Sequence, residues 1–151
     1  MEEKNNRRFS RLNIHWAVRL DFGTTEYKRF VHNVSLIGLY VEGEFRQEIG
    51  DICIINLKPS SLFSGETVRA VGTVTRISEH GMAMQFLSMK LDSFFFLQTT
   101  LFYKAVDPAL LGREFIKNNI NNFNIEGELV LFKPFSMDFQ TMKQMQHLLL
   151  R

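Results

Sequence analysis

Only one cysteine, Cys53, stands among the 151 residues. One thiol cannot build a disulfide framework, so a disulfide-stapled secreted scaffold is excluded. Set inside the run ICIINL, it reads as a small buried side chain. No apolar run approaches the roughly 20 residues that a membrane-spanning helix needs. The polar first residues carry no signal-peptide core. A cytoplasmic location without membrane insertion is therefore expected. The familiar catalytic signatures are missing as well. There is no G-x-S-x-G elbow, no H-E-x-x-H and no C-x-x-C. His15, His32, His80 and His147 are scattered without metal-ligand spacing. DFG at Asp21–Gly23 matches one piece of the kinase signature set, but the other pieces are lacking, so it reads as a turn between strands. No glycine-rich phosphate loop precedes a helix. The expectation is a binding protein, not an enzyme, with no metal and no cofactor.

Charge of one sign is also scarce. The formal net charge is +2, too small for a protein that coats nucleic acid. Neither DNA nor RNA is expected as a partner. What basic character there is lies at one end. Residues 1–11 hold Lys4, Arg7, Arg8 and Arg11 against Glu2 and Glu3, a local surplus of two that equals the surplus of the whole chain. Three of these are arginines within the five residues RRFSR, and little nearby acid pairs them.

Hydrophobic residues make up 45% of the chain, enough for one domain with a substantial core. From Ile14 the pattern has a period of two. Ile14, Trp16, Val18 and Leu20 alternate with His15, Ala17 and Arg19, as in a half-buried strand. YKRFVHNVS, LYVEG, ICIINL, VRAVGTVTRI and MAMQF read as five more strands, joined by turns such as DFGTTE, EIGD and SEHG. Gly72 within the fifth marks a bulge or bend. Six strands with short connections predict a mainly β, antiparallel barrel or sandwich. The period then changes. LDSFFFLQTTLFYK, residues 91–104, spaces its apolar residues as a helix does, with Asp92 suited to the first turn. Asp107 and Pro108 resemble a helix cap followed by proline, predicting a helix to about Ile120. NNINNFN reads as a break, GELVLFKPF as a possible strand ended by Pro134, and MDFQTMKQMQHLLLR as a further helix.

Between the second and third strands lies NVSLIG. Asn33 and Ser35 are two apart, so on an extended chain they share one face. Both carry short hydrogen-bonding groups. Gly38 permits a backbone conformation closed to other residues, or the close approach of a ligand. Taken alone, this stretch reads as a turn closed by an Asn or Ser side chain, and the arginines as a solvated basic arm.

Together, the two stretches resemble the signature of the PilZ family of cyclic di-GMP receptors, R-x-x-x-R followed by [D/N]-x-S-x-x-G. Arg7 and Arg11 match the first part, with Arg8 also basic. Asn33, Ser35 and Gly38 match the second. RAVGTVTRI and GMAMQF resemble the family's last two long strands, and the resemblance covers roughly residues 7–104. It implies a six-stranded antiparallel barrel closed by a C-terminal helix. The organisation it implies is a basic ligand-binding arm at 1–12 and a barrel with its closing helix at 13–104; residues 105–151 lie outside the common pattern and are expected to form a helical C-terminal extension. The implied ligand is cyclic di-GMP, bound by Arg7, Arg8, Arg11, Asn33, Ser35 and Gly38. An arginine fork matches the O6 and N7 acceptors of guanine, and its plane stacks on bases. The implied signal is closure of the arm over the barrel, read by a protein effector. The alternative is an adaptor of the same fold with weak or no nucleotide binding that works through its C-terminal region. A homodimer through that region is a further expectation, since Phe94, Phe95, Phe96, Leu97, Leu101, Phe102 and Tyr103 leave the first helix apolar around much of its circumference. The rival reading is that the later segments fold back over it.

Overall fold

The computed structural model describes residues 11–59, 67–105, 107–110, 112–114 and 123–132. The alternating pattern at the start of the chain forms two strands, β1 (Leu12–Asn13) and β2 (Ala17–Asp21). The alternation of exposure runs unbroken from Leu12 to Leu20. Between the two strands the Trp16 carbonyl accepts a hydrogen bond from the Val31 amide at 2.9 Å. Trp16 itself is buried.

Then follow β3 (Glu26–Val34), β4 (Gly38–Glu42), β5 (Ile52–Lys58), β6 (Val68–Ile77) and β7 (Gly81–Lys90), all paired antiparallel. The ladder runs β3-β2-β5-β6-β7, and β4 pairs with both β3 and β7. Those six strands therefore close into a ring, the barrel that the sequence predicts. Its interior is filled by alternate residues such as Leu20, Val31, Val41, Ile55, Leu57, Val74, Met82 and Phe86. The expected irregularity at Gly72 is a register shift between Val71 and Gly72. A side chain there would collide with Ile55 and press on the Gln85 carbonyl. Cys53 is buried in this core, and loss of solvation pushes its thiol pKa up, which keeps it protonated and unreactive at neutral pH.

The helix α1 (Leu91–Lys104) has the predicted bounds. Ser93, Phe94, Leu97, Thr100 and Leu101 recur three and four apart and form its buried stripe. Beyond it, Asp107 caps a short helical stretch, its Oδ1 accepting from the Leu110 amide at 3.1 Å. The rest of that predicted helix, and the one expected in MDFQTMKQMQHLLLR, lie outside the described residues.

One expectation needs correction. The extension 105–151 is not simply helical, because residues 123–132 form a hairpin of β8 (Phe123–Glu126), which was not expected, and β9 (Leu129–Phe132), which falls in the possible strand GELVLFKPF. The asparagines of NNINNFN hide the first strand, since only Phe123 of β8 is buried. β9, by contrast, is buried throughout and pairs with the Ser88–Lys90 end of β7. The turn at Gly127 takes positive φ, and the Glu128 carbonyl accepts the first amide of α1, Leu91 N–H, at 2.8 Å. Phe123 and Phe132 pack on Phe94 with ring centroids 4.9 and 6.1 Å away. Within the described residues, the chain thus folds back over the Phe94 side of α1. Phe95, Phe102 and Tyr103 stay exposed.

Candidate functional site

The NVSLIG turn joins β3 to β4, and the hydroxyl of Ser35 organises it. Ser35 Oγ accepts hydrogen bonds from the Ile37 and Gly38 amides, each at 3.2 Å, and donates to the Gly38 carbonyl at 3.4 Å. Its own amide donates to the same carbonyl at 2.9 Å. Ser35 is 3% exposed, so its polar groups are satisfied inside the turn. The device recurs at SEHG. There the Ser78 amide donates to the Gly81 carbonyl at 2.9 Å, the Ser78 hydroxyl donates to it at 3.3 Å, and the His80 amide donates to Ser78 Oγ at 3.3 Å. Ser-x-x-Gly is therefore a hairpin closure in this barrel, used twice.

Gly38 has a different reason for being glycine. It does not take positive φ. A Cβ on it would collide with the Met84 carbonyl oxygen of β7. Missing that atom lets β4 lie against β7, where Gly38 pairs with Gln85. The close approach expected at this position is that of another strand of the barrel.

Asn33 lies on β3, half-buried. It pairs with Asn13 of β1 on one side and with Tyr40 of β4 on the other. Tyr40 in turn pairs with Ala83, and Ala83 with Arg76. The Arg76 guanidinium lies over the Tyr40 ring at 6.0 Å, and the Tyr40 hydroxyl is 3.3 Å from Ser78 Oγ. A band of amide, phenol and guanidinium groups thus crosses the outer wall of the barrel at the level of Asn33. Strand pairing alone assembles it. Asn13, Tyr40 and Arg76 are 63 residues apart from first to last, and no local spacing marks them.

Arg11 immediately precedes β1, and β1 is stitched to β3 by the pairs Leu12 with Val34 and Asn13 with Asn33. The end of the arm is therefore placed beside the NVSLIG turn, although the two are over twenty residues apart in sequence. Arg11 is exposed. Arg7 and Arg8 lie outside the described residues. Among the described residues no group of three or more His, Cys, Asp or Glu is arranged to hold a metal ion. No described helix is long and apolar enough to cross a membrane.

A family model described as the PilZ domain matches residues 5–101, well over half of the chain. Among solved structures, the chain is similar to the Bacillus subtilis inhibitor of motility, MotI/DgrA, with a TM-score of 0.55 at 14% sequence identity. The similarity covers 80% of this chain and 55% of that one, so the chain spans just over half of that protein's length. At this identity the likeness carries the fold. A search of curated proteins finds no match.

Proposed function

We propose that this chain, which belongs to the PilZ domain family of cyclic di-GMP receptors and adaptors, is a non-enzymatic receptor that binds cyclic di-GMP between its arginine arm, residues 1–12, and the outer wall of the barrel. The observation that carries the reading is the pairing of β1 with β3, which sets Arg11 beside Asn33 and the Ser35 turn. Arg7, Arg8 and Arg11 supply guanidinium groups for phosphates and for guanine O6 and N7. Asn33 offers an amide to a base edge or a phosphate oxygen. Ser35 and Gly38 contribute through the turn they set, since the Ser35 hydroxyl is already hydrogen-bonded there. Binding draws the arm onto the barrel, and the changed surface is what a protein effector reads in the cytoplasm.

Isothermal titration with cyclic di-GMP, set against linear pGpG and cyclic di-AMP, tests the assignment. Arg11→Ala and Arg7→Ala should each weaken binding by about 1–3 kcal/mol, the range for a well-formed bidentate arginine–base contact. No heat from the parent protein at large ligand excess defeats the reading. Arm closure has its own readout. Amide exchange at Phe9–Leu12 should slow on saturation, and unchanged exchange there would leave binding intact while removing closure as the signal.

A second reading is an adaptor of weak or absent nucleotide affinity that works through protein contacts. It is favoured by the outer face of α1, where Tyr103 is 76% and Phe95 53% exposed. That same face is where a homodimer would form. The titration separates the two readings.

A further inference from the structure

The barrel wall formed by β3, β2, β5 and β6 carries a groove of about 740 Å³ that includes none of the motif residues. Its lining is set by register. One row across the four strands runs Lys28, Arg19, Asn56 and Arg69. A second runs Phe30, Ala17 and Lys58. Ala17, small and central, leaves a hollow between larger neighbours. The first row spans three strand spacings, roughly 14 Å.

Two features of this wall have no evident benefit to the fold. Lys28 and Arg19 stand directly opposite one another, and like charges in that position destabilise a sheet. Arg19 finds relief in Glu26, with contacts of 2.7 and 3.0 Å. Lys28, Lys58 and Arg69 make no ion pair with other described residues. Phe30 is 52% exposed, yet its ring is held in place by stacking on the His15 imidazole at 4.6 Å and 9°. Cations without ion-pair partners beside a stacked, exposed aromatic offer a partner both charge and apolar contact area.

We propose that this groove docks an acidic segment of a partner protein, its carboxylates over Lys28, Lys58 and Arg69 and an apolar side chain against Phe30. The groove lies along an open sheet wall, which suits a chain laid across it. A nucleic-acid strand fits less well. Asp21 lines the same groove and would repel a phosphate backbone, whereas a peptide can place a neutral or basic residue there. The net charge of +2 also gives little long-range attraction for a polyanion. The proposal does not depend on cyclic di-GMP binding.

The test uses the full chain and fluorescein-labelled probes read by anisotropy. The probes are a peptide of about twelve residues with alternating Glu and one central Phe, its Gln counterpart, and oligothymidine of similar length. The Glu peptide should bind saturably and lose affinity as salt rises from about 25 to about 250 mM. Affinity should fall about tenfold or more for the Gln peptide and for the Lys58→Glu, Arg69→Glu double variant. Phe30→Ala should weaken it several-fold. Cyclic di-GMP titration of the same variants should match the parent, and Trp16 fluorescence reports that they are folded. The proposal is overturned if the Glu peptide fails to saturate, if the folded double variant binds it as the parent does, or if oligothymidine binds more tightly. Failure of the nucleotide reading would appear only in the cyclic di-GMP titration, so the two outcomes stay distinct.

Discussion

A methyl group on Gly38 would be driven into the Met84 carbonyl of the neighbouring strand. Because that obstacle is backbone, β4 and β7 must part for Gly38→Ala to fit. The expected cost is about 1–3 kcal/mol, as for overpacking in a core, or roughly 2–4 °C in Tm per kcal/mol for a domain of this size. Thermal melts followed by Trp16 fluorescence check this, and a melt equal to the parent's would show that the strands tolerate the methyl. Loss of cyclic di-GMP binding in this variant would then reflect a displaced turn as much as a lost contact. Residues of this kind show where sequence reading succeeds and stops. The signature letters Asn33, Ser35 and Gly38 mark the correct turn. The letters do not reveal that Ser35 is spent on backbone amides, because Ser78 uses an equivalent turn with no signature attached. Nor do they point to Tyr40 or Arg76, which reach the same band only through pairing with distant strands.

Strands were legible either from alternation or, where buried on both faces as β6 and β7 are, from runs of apolar and β-branched residues. β2 and β5 expose every second residue and read correctly as strands. α1 shows its stripe at spacings of three and four and reads correctly as a helix. β9, fully buried, falls within GELVLFKPF and reads as a possible strand, whereas β8 escapes because it is mostly exposed and lies among asparagines. The hairpin nevertheless supports the elements before it. Phe132 stacks edge-on with Phe86 of the barrel at 5.7 Å and reaches Phe94 of α1 as well. A chain ending near Lys104 would strip these rings away and leave the start of α1 without its Glu128 partner. Such a truncation should aggregate in light scattering, since a large apolar patch would face water. A soluble truncated monomer with an unchanged melt would show that the hairpin is dispensable.

At the scale of the whole molecule, the two proposed binding regions run round opposite arcs of the ring and meet on two strands. The nucleotide band crosses β1, β3, β4, β7 and β6, and the basic groove crosses β3, β2, β5 and β6. β3 and β6 are common to both, with Phe30 and Asn33 three residues apart on β3 and Arg69 and Arg76 seven apart on β6. Charge along the sequence marks the arm, whose surplus of two equals that of the whole chain, but not the groove, whose cations come from four separate strands. The five-residue β4 has a further significance. It alone among the described strands bridges β3 and β7, so it acts as the clasp of a hoop. Unfasten it and the ring becomes an open sheet with two raw edges. The signature turn is the hinge pin of that clasp. A ligand gripping the pin therefore pulls on the same joint that keeps the hoop shut, and its binding energy adds to the work of prising the barrel apart.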